Sequence, residues 1–244
     1  MKWFVSKLVT VFLLLPISFS SYAAFVLNGT RYIYKEGQSS ISVSLSNYSD
    51  KLFGGQVWIE NTQDTEDIPF SVIPNIFTLD SKNQQKIQVS VLGSDYLGQN
   101  REMLFWLNVQ EIPLKSKEDG GDGNVLRMAA RTKVKFIYRP REIQNNREHA
   151  EENITIEKYE DGLVFNNNTP YYFAIVKVNQ QSVNDLSLTS FSPYSKARYL
   201  LPIMNKNSKT IEFGAIDDWG EVYTYQCDLS RLNNQCQQVK KDRP

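Results

Sequence analysis

Beyond the first two dozen residues, the sequence never holds an apolar period of 3.6 long enough for an amphipathic helix. Apolar and β-branched residues come instead in short alternating runs, cut by turn residues. The runs fall at 26–34, 40–46, 56–60, 69–73, 85–91, 103–111 and 125–138. A second series follows at 154–159, 163–166, 171–179, 209–213 and 221–227. Glu36-Gly37, Gly54-Gly55, Asp161-Gly162 and the Gly-rich 120–123 are typical of the breaks between them. Many short strands at this spacing predict an all-β chain of antiparallel sandwiches rather than βαβ units.

The first residues obey a different rule. Lys2 and Lys7 flank the start of an apolar run at residues 8–15, which Pro16 breaks before the small residues Ser18, Ser20, Ser21 and Ala23. A charged start, a short apolar core and a small-residue exit describe a secretory signal peptide. The run is too short for a spanning helix of about 20 residues. Ser21 and Ala23 fit the small positions before a cleavage site, so the cut is expected after Ala23. A cut after Ala24 would place Tyr22 at the first of those positions, which fits less well. Residues 1–23 carry two lysines and no acids, so 27 basic against 27 acidic residues become 25 against 27, a net charge of −2.

Export to an oxidising compartment changes how the two cysteines read. Cys227 and Cys236 are nine apart, with Asn233-Asn234 available to turn the chain between them. A disulfide joining neighbouring strand ends is expected. The single histidine, His149, lies far away in sequence, so neither a Cys/His metal cluster nor a His-dependent nucleophile is signalled. Near-neutral charge argues against a nucleic-acid binder. A hydrophobic fraction of 41% argues against a disordered chain.

The segment 139–148 is polar and follows the longest run, and Pro140 cannot donate to a strand ladder. A domain boundary is placed here, giving units at 24–143 and 144–244, each near the size of an immunoglobulin-like sandwich. In the long run the two parities separate. Asn124, Leu126, Met128, Ala130, Thr132, Val134, Phe136 and Tyr138 make one largely apolar face. Arg127, Arg131, Lys133, Lys135 and Arg139 dominate the other. A sandwich strand with its core face inward and its charges in water would show this pattern. A length of fourteen residues, against about 5–6 for a typical strand, also suits an exposed edge that another chain can pair with.

Several separated motifs, in order, carry a resemblance. Thr30-Arg31-Tyr32-Ile33-Tyr34 and Gln56-Val57-Trp58-Ile59-Glu60 come first. Arg101-Glu102-Met103-Leu104-Phe105 follows, with Asn108 and Glu111-Ile112-Pro113. Then come Lys133-Val134-Lys135-Phe136-Ile137-Tyr138-Arg139-Pro140 and Asn168-Thr169-Pro170-Tyr171-Tyr172. Together they resemble the PapD-like periplasmic chaperones that assemble pili through an outer-membrane usher. The resemblance extends from about Val26 to Cys236.

It implies two immunoglobulin-like β-sandwich domains set at an angle with a cleft between them. Arg31 and Lys135 would sit in that cleft and bind the C-terminal carboxylate of a pilus subunit through short charge-assisted hydrogen bonds. Asn124, Leu126, Met128 and Ala130 would be the donor strand, inserted into a subunit whose own sheet lacks one. Glu102, Arg139 and Asp218 would form an ion network that holds the interdomain angle. No catalytic residue, metal or cofactor is implied. The partners would be pilus subunits and an usher, with a self-capping dimer open for the free chain, and the location would be the periplasm. Three departures stand out. Pro74 is followed by Asn75 where the family often has Pro-Pro, which leaves a cis bond there open. Ala130 is small where Leu or Ile is common. The segment 114–123 is modest in length and lacks Cys, which looks like the short-loop branch that tends to serve rod-like pili.

Two other classes fit the sequence less well. A pilus subunit or adhesin is disfavoured because the long strand is internal and a second domain follows it. A hydrolase could use paired acids such as Asp217-Asp218, but adjacent strand residues would point to opposite faces and no partner is signalled.

Overall fold

The structure is a computed structural model that describes residues 24–62, 68–93, 97–98, 100–114, 128–159, 161–200, 208–230 and 236–241. The expected signal peptide therefore lies outside the described residues.

The first sandwich pairs a four-stranded sheet with a five-stranded one. The smaller holds β1 (Phe25–Leu27), β3 (Ile41–Asn47), β7 (Gln84–Val91) and β5 (Phe70–Ile73), in the order β1-β3-β7-β5. The larger holds β2 (Arg31–Lys35), β9 (Arg131–Arg139), β8 (Met103–Pro113), β4 (Phe53–Asn61) and β6 (Ile76–Leu79), in the order β2-β9-β8-β4-β6. Alternation places the core. In β3, Val43 and Leu45 are fully buried while the alternating Ser42, Ser44 and Ser46 are not. Phe70 packs edge-on against Phe105 at 5.0 Å and Phe136 at 4.9 Å, which ties the two sheets together.

The second sandwich has its own core. One sheet is β10 (Ile154–Tyr159), β11 (Gly162–Asn167) and β14 (Lys196–Leu200). The other runs β13-β12-β15-β16-β17, with β12 at Ile175–Val178, β13 at Gln181–Ser182, β15 at Thr210–Ile216, β16 at Val222–Asp228 and β17 at Cys236–Lys241. Phe213 stacks on Tyr225 at 5.2 Å and meets Phe165 edge-on at 6.0 Å. Two 3-10 turns, Arg141–Asn146 and Ala150–Asn153, link the sandwiches. One helical turn, α1 (Leu186–Thr189), is capped by Asp185, whose side chain accepts the Ser187 N–H at 2.8 Å.

The structure departs from the sequence expectations in instructive ways. The expected first strand is two, because the Asn28 side chain accepts from Ser44 N at 2.9 Å and Tyr32 OH at 2.8 Å while the chain crosses between sheets. The long strand is shorter. The strand begins at Arg131, residues 128–130 are exposed and lie before it, and Asn124 and Leu126 lie outside the described residues. Its basic face is not simply solvated, since Ile137 and Arg139 are both buried on it. Asp217 and Asp218 sit in a turn, not a strand. Strands β6, β13 and β14, short or polar, lie beyond the expected runs, and β17 is expected only as a strand end at Cys236. The Ile73–Pro74 bond is cis. The segment thought to mark the short-loop branch lies almost wholly outside the described residues.

Cys227 and Cys236 are bonded and face each other in the β16–β17 register. Closing so small a loop is worth about 2.5–3 kcal/mol in the chain-entropy picture. Reduction should therefore lower the denaturant midpoint of the second sandwich, read by urea titration with and without reductant. An unchanged midpoint would contradict this.

Candidate functional site

The site is built on β9. Strand β8 covers one edge of β9 along its whole length, from Met103 opposite Tyr138 to Gln110 opposite Arg131. Strand β2 covers the other edge in parallel, but only from Arg31 opposite Lys135 to Lys35 opposite Arg139. Residues 131–134 thus have no strand on that side among the described residues. Unpaired N–H and C=O groups along such an edge are a template for another strand. Just before it, Met128 is 78% exposed, an apolar side chain left in water.

Arg31 and Lys135 mark the point where the covered part of β9 begins. Being register partners on adjacent strands, they share one face of the sheet. Both reach the second sandwich. Arg31 donates to the Ile216 carbonyl at 3.1 Å, and Lys135 Nζ donates to the Thr189 carbonyl. Burial pushes the Lys135 ammonium down to about 8, helped by the neighbouring positive charge of Arg31. Burial also lowers Arg31, against the pull of Asp218 and Asp217. Arg31 Nε is buried without a hydrogen-bond partner among the described residues. Two desolvated cations with spare donors and, among the described residues, no ion pair of their own have the chemistry to accept an anion.

Four residues further along β9, on the same face, Arg139 is 2% exposed. Its Nε donates to Glu102 Oε1 at 2.6 Å, and its two terminal nitrogens donate to Asp218 at 2.6 and 2.8 Å. Glu102 comes from β8's approach in the first sandwich and Asp218 from the β15–β16 turn of the second. Glu102 also accepts the Tyr172 N–H at 2.7 Å, so this carboxylate bridges the sandwiches too. Burial pushes Glu102 up, against Arg139 and that amide. For Asp218 the guanidinium outweighs burial, and the carboxyl is held below its usual range.

Reading the sequence missed the second arginine of this network. Arg147 makes a bidentate pair with Glu151 at 2.7 and 2.8 Å, and its Nε lies 3.7 Å from Asp218. Its guanidinium lies 5.5 Å from the Tyr171 ring and 5.1 Å from Phe173. Burial lowers Arg147, but the Glu151 carboxylate more than compensates. The available signal was Arg147 four residues before Glu151 in a segment otherwise taken as a polar linker.

The expected site residues thus fall into three sets. Arg31 and Lys135 are brought together, as are Glu102, Arg139 and Asp218. Of the donor residues, Met128 and Ala130 are exposed beside the open edge, and the Ala130 carbonyl accepts from Glu111 N at 2.9 Å. Among the described residues, no group of three or more His, Cys, Asp or Glu is placed to hold a metal ion.

Residues 24–144 match the family model described as "Pili and flagellar-assembly chaperone, PapD N-terminal domain", and residues 149–227 match "Pili assembly chaperone PapD, C-terminal domain". The chain belongs to the PapD pilus-chaperone family. It is 43% identical over 225 residues to the Escherichia coli "Chaperone protein FanE", covering 87% of this chain and 95% of the relative. To the Klebsiella pneumoniae "Chaperone protein MrkB" it is 30% identical, covering 88% and 95%. Among solved structures, the Salmonella enterica SafB chaperone, in a complex with the SafA pilin, matches with a TM-score of 0.74. It is 21% identical over 86% of this chain and 99% of that one, and so shows the shared fold.

Removing the Asp218 carboxylate should be costly, because Arg139 stays buried with half its partners gone. Asp218→Ala is expected to destabilise by about 3 kcal/mol, the lower end for a partly exposed partner. Replacing Glu102, Arg139 and Asp218 together by apolar side chains should cost less. Equal losses in urea denaturation would contradict this account of the network.

Proposed function

We propose that this protein is a non-enzymatic periplasmic chaperone that captures pilus subunits by lending them a strand. One observation carries the reading: β9 is covered on one edge throughout but on the other only from Lys135, and there Lys135 lies opposite Arg31. A subunit's terminal carboxylate held by these cations would be fixed at the junction. Its last strand would then run along the open edge of 131–134 and on towards Asn124. Backbone hydrogen bonds supply affinity independent of sequence, and Leu126, Met128 and Ala130 fill alternate pockets in the subunit. The same act hides an open sheet edge and an apolar groove, both aggregation hazards.

The remaining parts of the reading follow from the sequence and the family. Residues 1–23 direct export and are removed. Residues 24–143 bind the subunit, and residues 144–244 complete the cleft. The loaded chaperone passes its subunit to an outer-membrane usher, and the free chaperone can pair its own open edge with a second copy. The modest length of the 114–123 segment in the sequence supports assignment to the short-loop branch. A subunit or adhesin is the poorer reading, since FanE and MrkB are both named as chaperones and match along most of this chain.

Arg31→Ala and Lys135→Ala should fold normally yet lose subunit capture, and Leu126→Glu should fail by forcing a charge into an apolar groove. Co-purification from periplasm with a pilin encoded beside the gene reads this out. Wild-type yields of complex with either anchor variant would overturn the anchoring role. Capture should also depend on pH. The Lys135 proton, held in the free protein up to about pH 8, is needed for the carboxylate. Binding should weaken as pH rises beyond that value, with the onset moved upward by the bound anion. Lys135→Arg should flatten the dependence.

A further inference from the structure

Arg31 and Lys135 present a puzzle of charge. They are adjacent, desolvated and mutually repulsive, and among the described residues neither forms an ion pair. A carboxylate partner would stabilise them but would also neutralise the positive charge that an incoming anion needs. The structure uses neutral acceptors instead. Each cation is met by one backbone carbonyl of the second sandwich: Ile216 for Arg31, and Thr189 for Lys135. A carbonyl orients a donor by hydrogen bonding and leaves its formal charge intact. It also leaves spare donors, namely the other ammonium protons of Lys135 and the unpartnered Nε of Arg31.

Both carbonyls are placed by local devices. Ile216 lies two residues before Asp218 and ends β15, so the turn that reaches Arg139 also carries the acceptor for Arg31. Gly220 closes that turn at φ +92°. A Cβ built there would stand 3.1 Å from Thr30 Oγ1, so the turn packs closely beside Arg31's own strand. Thr189 ends α1, a single turn. Carbonyls at a helix C-terminus have no intrahelical partner, so the Thr189 oxygen is free to accept from a cation. Asp185 holds that turn through both its side chain and its carbonyl. Its side chain accepts Ser187 N at 2.8 Å, and its carbonyl accepts Thr189 N at 2.8 Å and Thr189 Oγ1 at 3.0 Å.

We propose that the second sandwich is a working part of the anchor: the Thr189 and Ile216 carbonyls aim Lys135 and Arg31 without quenching them, and Asp185 is a positioning residue for carboxylate capture. This rests on the reading of Arg31 and Lys135 as the anchor.

Asp185 is exposed and touches neither cation in the contacts described, so Asp185→Ala should fold. The probe is a synthetic strand-forming peptide of alternating valine and threonine, offered with a free terminal carboxylate and as its C-terminal amide. The full chaperone should prefer the acid. Asp185→Ala should lose roughly fivefold of that preference, the loss expected for removing a helix cap. Asp185→Asn and Asp185→Ser, which also cap, should keep it. The Lys135 side-chain NMR resonance should shift in Asp185→Ala and not in the two capping variants. Undiminished acid preference with an unmoved Lys135 resonance in Asp185→Ala would overturn the positioning role alone. Equal binding of acid and amide by the wild-type protein would overturn the anchor reading and this proposal with it.

Discussion

A strand covered along one edge and only half covered along the other is the constraint on which the rest of the molecule depends. β8 satisfies β9 from Arg131 to Tyr138, while β2 arrives only at Lys135 because its chain has just crossed from the opposite sheet. The crossing at residues 28–30 therefore does two things. It leaves backbone groups of 131–134 open on one side among the described residues, and it delivers Arg31 opposite Lys135. An exposed edge is usually a liability. Here the lysine and arginine along β9 discourage indiscriminate pairing, and on the proposed reading the half-buried Arg31 and Lys135 would favour a strand that ends in a carboxylate.

The second sandwich matters because the cations cannot be arranged by the first alone. Arg139 is enclosed by Glu102 and Asp218, and Arg147 by Glu151 with Asp218 at longer range. Burying so much charge is expensive, and an apolar interface could be equally stable. What an apolar contact lacks is direction. The bidentate geometry at Asp218 fixes the β15–β16 turn, and that turn carries the Ile216 carbonyl to Arg31. Interdomain geometry and anchor geometry are thereby one property.

Much of this was legible in the chain itself. Alternation in 40–46, 85–91 and 103–111 located strands to within a residue or two because one face of each meets a core. The parity split of 124–139 pointed to a strand with a basic face, of which Arg131–Arg139 is the paired part. Cysteine spacing indicated the disulfide. Other features were hidden for physical reasons. β14 buries only Ala197 firmly and reads as a loop, and β17 carries just one apolar residue beyond its cysteine. Arg147 and Glu151 look like solvated charges because nothing local shows that Tyr171 and Phe173 close over the arginine. The Thr189 and Ile216 acceptors are backbone atoms, which no residue type announces.

The central claim is that the open edge of β9 is where a subunit's strand docks. Amide hydrogen exchange in the full-length chaperone, free and bound to its subunit, tests it most directly. Residues 128–134 should exchange readily in the free protein and become protected on binding, while the amides shared between β8 and β9 change little. Protection that appears elsewhere, with 128–134 still exchanging freely in the complex, would contradict it.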